Sequence, residues 1–244
     1  PDAKLIDISH LIPNGDLMSA AWVVRQAITS FPNGSIHLIG VGYAKDHNTD
    51  LLCAHFDEQW FIAPNNGILS LIHSGLGKEE SPISYYRANI KEHSKQSLAW
   101  QGPYIARNYL SELAIHLYRG TPIKHIAEQT DEVVRFKWAE SFADSNGIQG
   151  LVLHIDHFGN LITNISVESF NSVVGSHTFK LFAGNSIIRQ IHTHPLQVEE
   201  QDVFAVLGAS GMVEIGVKGG NASELLSIQK GAAVSVVIET SKKA

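Results

Sequence analysis

Cys53 is the single cysteine of the chain, so no internal disulfide and no cysteine-built zinc cluster can form. A reducing compartment suits such a chain, and the cytoplasm is the expected location. Basic runs are missing too. The longest is the pair Lys242-Lys243, and 18 Lys and Arg stand against 24 Asp and Glu, for a formal charge of −6. A polyanionic backbone finds no electrostatic footprint here, which argues against a nucleic-acid partner. Long apolar runs are also absent. The longest uncharged apolar stretch, about Val203 to Val213, is broken by Gly208, Ser210 and Gly211. It falls short of the roughly 20 residues a spanning helix needs, so no membrane partner is expected.

What remains is a foldable composition: 244 residues, 44% hydrophobic and 17% charged, enough for two modest domains with cores of their own. The first half alternates strand-like and helix-like segments, which predicts an α/β domain around a largely parallel sheet over residues 1–143. Lys4 to Ile8, Ser35 to Val41 and Trp60 to Ala63 read as strands. Leu17 to Ile28 and Tyr104 to Tyr118 carry helical periodicity, with Asp16 placed to cap the first, and Thr121-Pro122 opens a further short helix. After the polar turn Asp144-Ser145-Asn146-Gly147 the pattern changes. Short β-branched runs separated by glycine and asparagine (Leu151–Ile155, Leu161–Ile165, Phe179–Phe182, Val213–Val217, Ala233–Ile238) predict an all-β barrel over residues 147–244.

Thirteen histidines invite a metal reading, because imidazole is a common transition-metal ligand. The sharpest candidate, His192-Thr193-His194-Pro195, resembles the zinc site of JAMM deubiquitinating proteases. That pattern also requires a serine and an aspartate shortly downstream, and Gln197 to Leu207 offers no such pair. A metal-dependent hydrolase built on His192 and His194 is therefore the weakest of three readings, and no metal is expected.

A second constellation runs from His154 to Ile165, as HIDHFGNLITNI. Strand alternation sends His154 and Asp156 to one face, Gly159 permits a tight bend, and Asn160 presents an amide into the concavity. A carboxylate, an aromatic face and an amide suit a cationic zwitterion: Asp156 for an ammonium, Asn160 for a carboxylate or amine, Phe158 for an apolar or sulfonium-bearing chain. The same string is also an ordinary strand-turn-strand.

This string resembles the HIDxFGNxxTNI signature of the S-adenosyl-L-methionine (SAM) hydroxide adenosyltransferases, the family that also contains the SAM-dependent fluorinase and chlorinase. Further matches follow in family order: LIDISHLIP from Leu5, FPNGSIHL from Phe31, FIAPNNGILS from Phe61 and GMVEIGVKGGNASELL from Gly211. The resemblance implies an α/β domain followed by a β-barrel, a homotrimer with SAM held between subunits, and attack of water or halide on ribose C5′ with loss of methionine. It implies no metal or organic cofactor beyond SAM. By the resemblance Asp156 receives the methionine ammonium, Asn160 helps hold the amino-acid end, Phe158 lines that pocket, and Lys218 and Gly219 offer backbone groups to adenine.

The departures concern catalysis. Water-using members carry VVDPGVG, an arginine beyond it, and FHGRD, which supply an Asp, Arg and His set around the water. In this chain the aspartate position falls on Gly42, the arginine position on Thr49 and the histidine position on Gln101. Glutamine orients water but does not take its proton near neutral pH. Asp46 and His47 are the candidate substitute acid-base pair, and Tyr43 sits one place from where the halogenases keep a tyrosine. Ser210, in Gly208-Ala209-Ser210, is the remaining donor for the ligand carboxylate. The family's opening TDFG element is absent from a chain that begins Pro1-Asp2-Ala3-Lys4, which implies a longer parent protein. The leading reading is thus a SAM hydrolase or related adenosyl transferase. The runner-up is a catalytically silent SAM- or adenosine-binding protein, which a kept binding signature beside a lost water-activating set would also produce.

Overall fold

Helix α1 (Leu17–Ile28) begins at the cap the sequence provides: Asp16 accepts the Ser19 amide at 3.0 Å and the Ser19 hydroxyl at 2.8 Å. It turns Ala20, Ala21, Val24 and Ile28 into the core, as their spacing predicts. The computed structural model describes residues 3–42, 50–74, 82–89 and 105–239, with backbone alone for 105–108. Two units make up the chain, Pro1–Trp138 and Ala139–Ala244.

In the first unit, strands β1 (Ile36–Leu38), β2 (Leu51–Phe56), β3 (Gln59–Pro64), β4 (Ser84–Ala88) and β5 (Ala127–Gln129) form a sheet in the order β1-β3-β2-β4-β5. The expected largely parallel sheet is mixed. β1 runs parallel to β3, while β2–β3, β2–β4 and β4–β5 are antiparallel. The cause is a two-residue turn, Asp57-Glu58, whose positive φ values of 49° and 56° match a tight hairpin and fold β3 straight back on β2. One face of the sheet carries Leu51, Cys53 and Ile62 against Tyr109, Leu110 and Leu113 of α3 (Ile105–Tyr118). Burial there pushes the Cys53 thiol up to about 12, so it is inert packing.

α1 packs on α2 (Ile68–His73), and Arg25 of α1 donates to the Ile72 and Ser74 carbonyls at 2.8 and 2.6 Å, closing the end of α2. Residues 130–138 form an extended strap along α2. Phe136 N–H donates to Ser70 Oγ at 2.8 Å and the Trp138 indole to the Leu71 carbonyl at 2.8 Å. His37 is buried between Phe31 and Phe61, hydrogen-bonded to Gln59, and burial lowers its pKa below the ordinary imidazole value. The strand expected at Lys4 to Ile8 does not form. Residues 3–9 are irregular with Leu5 90% exposed, because among the described residues no strand lies beside them to pair their backbone. Thr121-Pro122 leads into a single 3₁₀ turn, Ile123–His125.

The second unit is a β-barrel. Its sheet runs β10-β9-β14-β7-β8-β13-β12-β11, with β6 (Phe142–Asp144) paired to β7 (Gly147–Ile155) across the Asp144–Gly147 turn. The other strands are β8 (Leu161–Ser166), β9 (Phe179–Ala183), β10 (Ser186–Ile188), β11 (Ile191–His192), β12 (Val203–Leu207), β13 (Met212–Val217) and β14 (Ala233–Ile238). The path nearly closes because its two edge strands, β10 and β11, are separated in the chain by Arg189 and Gln190 alone. Alternate residues face inward: Leu161 and Ile165 of β8, Val213, Ile215 and Val217 of β13, Val234 and Val236 of β14. Met212, Glu214 and Gly216 consequently belong to the outer face of β13. Helices α4 (Val167–Val174) and α5 (Ala222–Leu225) flank the barrel.

Candidate substrate-binding site

The site signature folds as a self-tied turn. β7 ends at Ile155, and the Asp156 carboxylate then accepts three hydrogen bonds at 2.9 Å: Phe158 N–H and Asn160 N–H on Oδ1, and Asn160 Nδ2 on Oδ2. The Asp156 amide donates to the Asn160 carbonyl and Gly159 N–H to the Asp156 carbonyl, both at 3.1 Å. An aspartate satisfying amides two and four residues on is what makes such a bend stable without a strand partner. Gly159 has φ 86°, and a Cβ there would overlap the Asn221 side chain. Phe158 projects outward, 76% exposed. The strand ends at Ile155, so Asp156 lies beyond the alternation expected to align it with His154, and the bulge in the β7–β8 register, between Val152 and His154, precedes both.

The turn leans on residues from distant sequence. Ser223 N–H donates to the Gly159 carbonyl at 3.0 Å, and Asn221 caps α5 by accepting the Glu224 amide at 3.1 Å. Asn160 Oδ1 approaches β13, lying 2.7 Å from where a Cβ on Gly216 would stand, and the Phe204 ring crowds the same point from β12. Asn221, Gly216 and Phe204 were not singled out in the sequence. The N-x-x-E spacing of Asn221 and Glu224 is a capping signal that could have marked the first, whereas the Gly216–Phe204 pairing is visible only in the strand register.

Other predicted residues carry roles of their own. Ser210 donates its hydroxyl to Glu214 Oε1 at 2.6 Å. The Lys218 amide donates to the Asp202 carbonyl at 3.1 Å, its carbonyl accepts Gln201 N–H at 2.9 Å, and its ammonium donates to the Val198 carbonyl at 2.6 Å. Gly219 turns with φ 69° against Glu200. His194 Nδ1 accepts the Leu196 amide at 3.1 Å as the cap of a short 3₁₀ turn, Pro195–Gln197. Among the described residues no three His, Cys, Asp or Glu side chains gather as a metal site requires, so His192 and His194 lack a third donor there. Tyr43, Asp46, His47 and Gln101 lie outside the described residues.

In the first unit, the carboxyl ends of the parallel strands β1 and β3 meet at Gly42 and Asn66, the end of such a sheet where ligands bind. Asn66 Nδ2 donates to the Val41 and Gly42 carbonyls at 3.0 and 2.9 Å, and its Oδ1 accepts the Ile68 amide at 3.2 Å. Gly42 has φ 65°, and a Cβ there would stand 2.7 Å from Leu17 Cδ2 and 2.9 Å from Asn66 Nδ2. Leu17 and Asn66 occupy the space that an aspartate at position 42 would need.

Comparisons agree on what the fold is like. Residues 1–127 match the SAM hydroxide adenosyltransferase N-terminal domain, and residues 150–235 match its C-terminal domain. A protein from Thermus thermophilus named (R)-S-adenosyl-L-methionine hydrolase is 25% identical over 97% of this chain and 89% of its own. Another of that name from Salinispora tropica is 24% identical over 95% and 85%. The crystal structure of an uncharacterized conserved protein from Thermotoga maritima superposes with a TM-score of 0.83 at 21% identity, covering 97% of this chain and 90% of that one. With both domain descriptions matched in order, the chain belongs to the SAM hydroxide adenosyltransferase family.

Proposed function

We propose that this protein hydrolyses SAM to adenosine and methionine. Water attacks ribose C5′, the C5′–S bond breaks with its electron pair going to sulfur, methionine leaves as a neutral thioether, and one proton passes to solvent. A single displacement of this kind depends on holding the nucleophile in line with the departing sulfur and on excluding competing water. No cofactor other than the substrate takes part.

The observation that carries the reading is the intact Asp156–Asn160 turn within a chain that matches both domains of the family. Asp156, Phe158, Asn160, Ser210, Lys218 and Gly219 are the proposed binding residues. Gln101 is proposed to orient the water, with Asp46 and His47 as the pair that takes its proton and Tyr43 beside them. The proposed assembly is a homotrimer with its sites between subunits, in the cytoplasm. Curated relatives named (R)-S-adenosyl-L-methionine hydrolase, from bacteria and from Methanocaldococcus jannaschii, support the substrate.

A second reading, a SAM-binding protein without turnover, is favoured by one observation: position 42 has no side chain and no room for one. Incubation with SAM, chromatography for adenosine and methionine, and calorimetry on the same sample separate the two. Product formation in step with binding supports the hydrolase, binding without product supports the silent protein, and neither signal overturns both.

A further inference from the structure

We propose that Asn14 is a site of spontaneous deamidation, which turns it with Gly15 into an isoaspartyl linkage at the start of α1, and that the same tripeptide at Pro32-Asn33-Gly34 is protected from this reaction. Four Asn-Gly pairs occur in the chain: Asn14-Gly15, Asn33-Gly34, Asn66-Gly67 and Asn146-Gly147. Such pairs are reactive because glycine, lacking a Cβ, lets its nitrogen approach the preceding side chain. The Gly15 nitrogen loses its proton and bonds to Asn14 Cγ, the Cγ–Nδ2 bond breaks, and Nδ2 leaves as ammonia with that proton. One water then opens the succinimide, giving aspartate when it enters at Cγ and isoaspartate when it enters at the main-chain carbonyl carbon. The first step requires a glycine N–H free to lose its proton and an asparagine side chain free to swing over it.

The two Pro-Asn-Gly turns differ in that one respect. Both are exposed at Asn and Gly, both are closed onto the proline carbonyl, by Asp16 N–H at 3.0 Å and Ser35 N–H at 3.2 Å, and their glycines have φ 76° and 81°. A Cβ on either glycine would meet nothing within 4 Å, so room does not separate them. Gly34 N–H, however, donates to the Glu58 carbonyl at 2.7 Å, whereas among the described residues nothing accepts Gly15 N–H and nothing bonds the Asn14 side chain. The other pairs are held too. Asn66 is tied through both side-chain atoms to Val41, Gly42 and Ile68, and Gly147 N–H donates to Asp144 Oδ1 at 3.1 Å. Isoaspartate lengthens the main chain by one carbon between Pro13 and Asp16, opening the turn that places the Asp16 carboxylate on the Ser19 amide.

The full chain, aged in mildly alkaline buffer and then digested, tests this by peptide mapping: mass spectrometry follows the conversion of each of the four asparagines, and a protein isoaspartyl carboxyl methyltransferase labels the isoaspartate in the digest. Asn14 is expected to convert at least about tenfold faster than Asn33 in the folded chain, and within about threefold of it in urea, where the two tripeptides lose their different settings. Equal rates in the folded chain overturn the proposal, as does a lead by Asn33, Asn66 or Asn146. A lead of Asn14 that is as large in urea as in the folded chain overturns it as well, because sequence and not the Glu58 carbonyl would then set the rates. Asn14→Ser is expected to lower the methyl label at least about fivefold, and an unchanged label places the damage elsewhere. Hydrogen exchange reads the cause without any ageing. The Gly34 amide must exchange at least about tenfold more slowly than that of Gly15, and equal exchange overturns the protection assigned to Glu58.

Discussion

The barrel and the α/β unit hold their candidate site residues by opposite means. In the barrel, the turn from Asp156 to Asn160 satisfies itself within five consecutive residues, and distant groups such as Ser223 and Asn221 only buttress it. In the α/β unit, the ends of β1 and β3 are joined by ties spanning some twenty to seventy residues. Asn66 reaches Val41 and Gly42, Asn65 holds the Glu132 carbonyl and the Val134 amide, and Phe136 covers Gly67. A site written locally survives sequence drift as a readable string. One written across the fold draws on residues far from each other, as at Gly42, where Leu17 and Asn66 fill the space a side chain would need.

The sharpest way to break this contrast is Gly67→Ala. Its φ of 94° and the Phe136 ring over it leave no place for a methyl group, and a loss of about 2–4 kcal/mol is expected in urea unfolding followed by tryptophan fluorescence. A loss below about 1 kcal/mol would mean the strap yields easily. Next comes Asp156→Ala, expected to weaken SAM binding by about 1.5–3 kcal/mol while the α/β unit melts as before. Equal affinity in a titration would remove the turn from the site. Gly42→Asp is expected to destabilise by about 1–3 kcal/mol without raising turnover, because the carboxylate must displace Leu17 and Asn66. Faster adenosine release from that variant would show that the space reopens. Gln101→Ala should lower turnover by about tenfold with SAM affinity nearly unchanged, and a rate equal to wild type would move attention to Asp46 and His47.

The smallest effect concerns pH. Burial lowers the His37 pKa, so between its folded value and the unfolded value near about 6.5 the unfolded chain binds the extra proton. Stability from this group is complete above that range and declines as pH falls through it, by at most about 1.4 kcal/mol per pH unit. Urea midpoints measured at pH 7.5 and pH 5 should differ more in wild type than in His37→Phe; an equal difference would assign the pH dependence elsewhere.

Legibility in the sequence followed the same division. Helix α1 and the barrel strands announce themselves through periodicity, caps and turns carried by neighbouring residues, and the observed α1 spans the predicted Leu17–Ile28. The β2–β3 hairpin escaped because Asp57 and Glu58 adopt positive φ without the glycine that usually signals it, and the sheet was read as parallel in consequence. At the candidate site, the turn from Asp156 to Asn160 was legible because the residues that tie it lie in one string. Gly216 and Phe204 were not. Their meaning arises from register between β12 and β13 and from the approach of Asn160 across them.

Helix α2, six residues long, is too short to persist in water by itself, since nucleating a helix costs more than one and a half turns return. The guanidinium of Arg25 at its end and the indole of Trp138 along its side make it a dependent element, formed only once α1 and the strap have docked. Its amide protons are therefore a gauge of the whole α/β unit, and their exchange rates should report global opening rather than local fraying.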